Sequence, residues 1–171
     1  MIRVIGHASC GATQVQADPW IPLTVNWQFE ERSGLLNLYV RGANGGYVEM
    51  RVDECTGALL ELVVIEAPPE RVQHCSPSNI STISGTVVLD REMWQWRVTP
   101  DYVEPTTRDV SMLQDLSWSV QEDKILLLFS KARPTWLAGS NEAEFGISEA
   151  GELVCMAVSR PNIELPPGYP T

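Results

Sequence analysis

The sequence predicts a mainly β protein, with a β-dominated α+β arrangement as the alternative. The expected form is two antiparallel four-stranded sheets packed as a sandwich, in a single domain over residues 1–171. Three observations lead there. Apolar and polar residues alternate over many short runs, as in strands with one wet face. Turns rich in glycine separate those runs, and glycine tolerates the positive φ that tight turns need. The third is an internal repeat: residues 23–69 match residues 116–161 when Gly57 is set on Gly151. A repeat constrains architecture more than any single motif does.

Each copy opens on an alternating run that contains a tryptophan. Leu23, Val25, Trp27 and Phe29 form it in the first copy, Trp118 and Val120 in the second. A polar turn leads to a second apolar run, which includes Ile125–Phe129 in the second copy. A loop with glycine follows: Gly42, Gly45 and Gly46 in one copy, residues 133–142 in the other. The third run alternates, as Val48, Met50 and Val52 do against Glu49, Arg51 and Asp53, and as Phe145 and Ile147 do in the second copy. An acidic turn ends at Gly57 or Gly151, and the fourth run is apolar on both parities around Leu62 and Met156. Runs of that kind suit strands covered on both faces. Short turns predict an antiparallel meander in each copy, with Leu62 equivalent to Met156 and Val64 to Val158.

The connecting segment, residues 70–115, carries its own signals. Val87 and Leu89 share one parity, and Trp94, Trp96 and Val98 share another, so a hairpin turning near Asp90-Arg91-Glu92 is expected. Thr106-Thr107-Arg108-Asp109 resembles a capping box and predicts a short helix through Leu113. Pro100 and Pro105 exclude a longer one. The proline-rich end, residues 160–171, is expected to lie extended on the surface.

Composition narrows the function. The chain of 171 residues is 44% hydrophobic and 20% charged, enough for a sizeable core. Its formal net charge is -10, and its acids are spread along the chain. Lys124 and Lys131 are its only lysines, and its arginines are scattered. Nucleic-acid binding needs a basic stripe to neutralise phosphates, so direct binding to DNA or RNA is not expected. Anionic membrane surfaces are disfavoured by the same sign argument. A basic protein partner is what such a field attracts. No leader-like start and no apolar run long enough to span a bilayer stands out, so a cytoplasmic protein is expected. The cysteines Cys10, Cys55, Cys75 and Cys155 are then expected as free thiols.

Signatures of catalysis are weak. His7-x-x-Cys10 with His74-Cys75 is the nearest approach to a zinc set, but adjacent side chains of an extended segment point to opposite faces. No metal and no cofactor are expected. A thiol nucleophile would need a histidine base, and both histidines fall in expected loops. The Gly42–Gly46 stretch precedes no helix signal and so lacks what makes a phosphate loop work. Glu30-Glu31, Asp53-Glu54 and Glu122-Asp123 are pairs of carboxylates accounted for as acidic turns. The chain therefore reads as a binding protein and not an enzyme.

The aromatic residues suggest where it binds. Trp27, Trp94, Trp96 and Trp118 sit at core parity, whereas Trp136 lies in residues 133–142, the loop in which the copies differ most. Loops on a rigid sheet are where function concentrates. Trp136 and Leu137 are thus the expected apolar anchor, with Asn141, Glu142 and Glu144 as a polar, acidic rim. The competing expectation is that Trp136 folds back to cap the sheet.

Size, acidity and repeat layout together resemble bacterial toxin-immunity proteins, the class found in contact-dependent growth inhibition and related polymorphic toxin systems. No motif carries the resemblance. It implies a cytoplasmic inhibitor that occludes a basic toxin domain, often a nuclease, with acidic side chains standing in for phosphates. Two other functions are to be weighed: a small-molecule protein with a pocket between the sheets lined by tryptophans and Arg97, and a hydrolase using a carboxylate cluster or zinc.

Overall fold

A computed structural model describes residues 1–71, 82–121 and 123–159. His74, Cys75, Glu122 and the proline-rich end, all addressed by the sequence expectations above, lie outside the described residues. The described chain is mainly β and contains no α-helix, so no helix in it is long and apolar enough to cross a membrane.

The strands are β1 (Val4–Ala8), β2 (Thr13–Gln16), β3 (Leu23–Trp27), β4 (Leu35–Gly42), β5 (Tyr47–Asp53), β6 (Leu59–Glu66), β7 (Thr82–Ser84) and β8 (Thr86–Leu89). After a 3-10 turn at Arg91–Met93 come β9 (Trp96–Val98), β10 (Val103–Pro105), β11 (Asp109–Gln114), β12 (Ser117–Val120), β13 (Lys124–Leu128), β14 (Trp136–Gly139), β15 (Ala143–Ile147) and β16 (Leu153–Ser159).

The expectation of two four-stranded sheets is corrected. There are two six-stranded sheets, in the orders β11-β4-β5-β6-β3-β2 and β12-β13-β16-β15-β14-β7, and two two-stranded ribbons, β1-β8 and β9-β10. Neither sheet is a plain meander. Hairpins join β4, β5 and β6, while β3 returns beside β6, as in a Greek key. The strands are not all antiparallel either: β11 joins β4, and β7 joins β14, in parallel.

The two sheet orders correspond position by position, with β13 standing where β3 stands. The tryptophan-bearing strand β12 therefore matches the edge strand β2, and Trp118 is not the counterpart of Trp27. Residues 133–142, expected to be a loop, contain β14, the counterpart of β4. The pairing of β5-β6 with β15-β16 follows the expected alignment. Leu62 opposes Met50 and Val25, and Met156 opposes Phe145 and Leu127. Both pairs also break register at the same place, between Arg51 and Val52 and between Gly146 and Ile147.

Gly57 and Gly151 have the same φ of 77°. Each follows a turn closed by its own N–H, to the carbonyl of Asp53 in one case and of Ser148 in the other. Each then offers its carbonyl to a strand of the β1-β8 ribbon: Leu89 donates to Gly57 at 2.8 Å and Val4 to Gly151 at 2.7 Å. Because β1 and β8 pair with each other, the ribbon ties the two sheets together. A Cβ on Gly57 would lie 2.6 Å from the Leu89 carbonyl oxygen, and one on Gly151 2.9 Å from that of Val4. Gly57→Ala is expected to cost about 1–3 kcal/mol, and more than Gly151→Ala, since strained φ and a backbone clash add. Urea unfolding of the two variants checks the order.

The inward faces of both sheets enter one continuous apolar cluster. Val25, Trp27, Leu38, Met50 and Leu62 contribute from one sheet, and Leu127, Phe145, Ile147 and Met156 from the other. Trp27 and Phe145 meet across it with ring centroids 5.3 Å apart. Full burial of such side chains contributes roughly 1.5–3 kcal/mol each, which is the main force holding the sheets together. A second cluster, Leu126, Leu128, Val154 and Cys155, sits on the opposite face of the second sheet. Apolar residues on both parities of β13 and β16 therefore reflect cover on both faces.

The connecting segment departs from expectation twice. No helix opens at Thr106, because residues 109–114 alternate: Val110 and Met112 pack on the core while Asp109, Ser111 and Leu113 are exposed. The Thr107 hydroxyl does accept from the Asp109 N–H at 3.2 Å, but the strand continues straight on beside β4. Nor do β8 and β9 form a hairpin across Asp90. The 3-10 turn there separates them, β8 pairing with β1 and β9 with β10.

Candidate partner-binding surface

The structure divides the expected interface residues. Leu137 is buried, and Trp136 is half-buried against the core from inside β14, between β15 and β7 in the sheet. Neither is the exposed loop side chain that the sequence predicts, and Trp136 packs on the core as a paired strand residue and not by folding back from a loop over the sheet. Asn141 and Glu142 are exposed on the β14–β15 turn. The Ser140 side chain accepts from the Glu142 N–H and, by hydrogen bonding to it, holds the Glu142 carboxyl below the ordinary range. Glu144 is half-buried and accepts from the Thr82 hydroxyl at 2.6 Å. Asn141 and Glu144 help line a hollow of about 210 Å³ with Lys124 and Ser159.

This turn belongs to one end of the molecule, which can be traced contact by contact. Ser140 donates to Thr13 at the start of β2. Next to Thr13, Gly11 and Ala12 bond the backbone of Gln28. Beyond Gln28 runs the loop Glu30–Gly34, pinned by Asp53. One Asp53 oxygen accepts from the Ser33 N–H and hydroxyl, both at 2.8 Å. The other accepts from the N–H of Cys55 at 3.1 Å, and from the N–H and hydroxyl of Thr56 at 2.8 and 2.9 Å. Burial works to raise the Asp53 pKa, but the bonds from Ser33 and Thr56 outweigh it and bring it to about 2. The neighbouring Glu54 pairs with Arg108, and Arg108 leads to the β9-β10 ribbon.

A groove runs along this end. One part, about 750 Å³, is lined by Ser9, Cys10, Gln28, Phe29, Glu30 and Glu31. A second part, about 510 Å³, shares Ser9, Phe29 and Glu31 and adds Asp53, Cys55 and Thr56. Its chemistry is poor in reactive groups. Burial pushes the Cys10 thiol up, which leaves it protonated at neutral pH and a weak nucleophile. The Asp53 carboxylate is spent on backbone and hydroxyl donors. Among the described residues no group of three or more His, Cys, Asp or Glu could hold a metal ion. Cys10 and Cys55 are free thiols, and Cys155 is buried in β16. The pocket imagined between the sheets around Arg97 is not formed by that residue, which stands on the exposed β9 strand paired with Glu104.

Charge is distributed unevenly between cations and anions. Arg3, Arg51, Arg71, Arg97, Arg108 and Lys131 each pair with one of the protein's own carboxylates. Arg91 stacks on Trp96 and Arg41 on Tyr47. Among the described residues, the exposed Glu30, Glu31, Glu92, Asp101, Glu142 and Glu149 form no such pair. The surplus that faces solvent is therefore anionic.

Two exposed apolar features escaped the sequence reading. Trp20 is 88% exposed between β2 and β3, on a turn where Asp18 accepts from the N–H of Trp20 and of Ile21, both at 2.8 Å. Its signal was its position between Pro19 and Pro22, outside every alternating run. The other feature is the far part of the β9-β10 ribbon. No protein-family model and no curated protein matches this sequence.

Proposed function

We propose that this chain is an immunity-type inhibitor that binds a basic toxin domain and acts by occluding it.

 The observation that carries this reading is the ion-pair pattern. Most of the described cations pair with the protein's own carboxylates or stack on its aromatic rings, Arg32, Lys124 and Arg133 being the exposed exceptions, while a larger number of unpaired carboxylates faces solvent, among them those at the groove and at the β14–β15 turn. Such carboxylates can take the places that nucleic-acid phosphates occupy on the arginines and lysines of a nuclease. Binding needs no chemistry from the inhibitor, in keeping with a protonated Cys10 and a fully engaged Asp53. The sandwich supports this role as a rigid frame, one on which loops and ribbons are held in place before contact, so that little ordering entropy is lost on binding.

The test starts from the gene next to the one for this chain. The reading expects it to encode a secreted protein ending in a variable, basic domain. Mixed with that purified domain, the chain should form a one-to-one complex and abolish its toxicity. Association should slow by about tenfold or more as salt rises from about 10 mM to 1 M, because screening shortens the reach of charge steering. Glu30→Gln with Glu31→Gln should lower the on-rate and flatten that dependence. The absence of such a neighbouring gene, or of binding to its product, would sink the reading. Salt-independent association would remove its electrostatic basis.

A further inference from the structure

The β9-β10 ribbon is two-sided. Trp96, Val98, Val103 and Pro105 share one face, and Arg97 and Glu104, paired at 3.5 Å, share the other. At its base the apolar face is covered: Trp96 is half-buried against the core, and its indole N–H donates to the Arg91 carbonyl at 3.0 Å. The adjoining Trp94 is fully buried, its indole N–H shared between the carbonyls of Asn37 and Arg108. Further out the cover ends. Val98 is 73% exposed, Val103 59% and Tyr102 50%.

The outer part is nonetheless locked. Thr99 donates its N–H to the Tyr102 carbonyl at 2.9 Å, and its hydroxyl accepts from the Tyr102 N–H at 3.1 Å. Pro100 fixes φ within the turn. At the base, Thr106 donates to the Gln95 carbonyl through both its N–H and its hydroxyl. A two-stranded ribbon is marginal by itself in water, and apolar side chains held rigidly in solvent gain nothing for the fold.

We propose that this ribbon is the apolar anchor of the interface, inserted by its Val98–Val103 face into a cleft of the basic partner domain. The inference rests on the inhibitor reading above and names the element that makes the central contact. Charge selects the occupant. A second copy of this chain brings another -10 and is repelled, and an anionic lipid surface is repelled likewise. Asp101 at the tip and Glu92 at the base, neither in an ion pair, would rim the contact and face the partner's cations. A projecting ribbon reaches a cleft with little flat area, and pre-organisation spares it the entropy of ordering.

The experiment compares the wild type with Val98→Ser/Val103→Ser and with Tyr102→Ser, using the purified domain from the neighbouring gene in calorimetry. Circular dichroism and unfolding establish that each variant is folded. The double variant should weaken the complex by about 30-fold or more, chiefly through the off-rate. Amides of residues 96–105 should gain protection from hydrogen exchange in the wild-type complex. If the wild type binds, but the variants bind equally well and the ribbon gains no protection, the ribbon proposal is overturned and the inhibitor reading stands. No binding by the wild type overturns both. Sedimentation showing a dimer that the double variant abolishes, or ribbon-dependent binding to phosphatidylcholine vesicles, would also overturn it, in favour of a second copy or of a membrane.

Discussion

Trp27→Ala should destabilise the protein by about 3–5 kcal/mol, whereas Trp27→Phe should cost only about 1 kcal/mol. The contrast comes from two features of one side chain. Trp27 ends β3, has no exposed surface and lies against Phe145 from the facing sheet. Alanine would open a cavity where the two sheets meet, and strands paired on both sides cannot easily collapse into it. The indole Nε1, however, is buried without a hydrogen-bond partner. Phenylalanine keeps most of the ring contact and removes a donor whose desolvation nothing repays, which offsets part of the lost volume. Urea unfolding of both variants decides the matter. Equal losses would mean that the indole N–H is satisfied, for instance by a buried water. A loss below about 1 kcal/mol for alanine would mean that the sheets do not share this core.

Much of the fold was legible because period two is a local signal. Val48, Met50 and Val52 announce their inward face in the sequence, and Gly57 and Gly151 announce their turns. The order of strands in space was less legible, because pairing between distant segments leaves no comparable trace. β3 beside β6, and β11 parallel to β4, depend on long connections that alternation does not encode. The same limit misplaced Trp118: a tryptophan in an alternating run fits β12 or β13 equally well until neighbours are known. At residues 106–113 a local cue misled. Thr107 hydrogen-bonds forward as a helix cap does, yet the alternation from Asp109 to Leu113 and the open edge of β4 favour a strand. Trp136 was misread because glycine and proline around it suggested a loop. In fact both glycines serve strand pairing: Gly139 ends β14 at φ 158°, where a Cβ would lie 2.3 Å from the Ala143 carbonyl oxygen, and Gly146 leaves room for Pro134, whose Cβ lies 3.0 Å from where a Cβ on Gly146 would be. The ribbon was missed for the opposite reason. Val98 and Val103 look like core residues in sequence, and only their lack of cover distinguishes them.

Asp53→Asn should cost about 2–3 kcal/mol at neutral pH, and the cost should shrink as the solution is acidified. Asp53 is buried, and its two oxygens collect donors from Ser33, Cys55 and Thr56. An amide of the same shape turns one acceptor into a donor and sets it against the N–H donors that converge on that oxygen. The pH dependence has a definite sign. The folded pKa, about 2, lies below the ordinary aspartate value of 3.8. The folded state therefore binds the proton less tightly than the unfolded chain does. The resulting stabilisation, about 2 kcal/mol, is complete above the unfolded pKa and is lost as pH falls from about 4 towards 2. Unfolding the wild type and Asp53→Asn in urea at pH 7, 4 and 2.5 should show the two stabilities converging. A gap that stays constant over that range would mean that the carboxylate's charge is not what holds the turn. The consequence reaches the groove, because Ser33 anchors the loop that presents Glu30 and Glu31. Loosening that loop spreads the two carboxylates over many positions, so the variant should bind a basic partner more slowly even where it remains folded. Unchanged association by folded Asp53→Asn would place the steering charge elsewhere on the surface and leave Asp53 with a purely structural role.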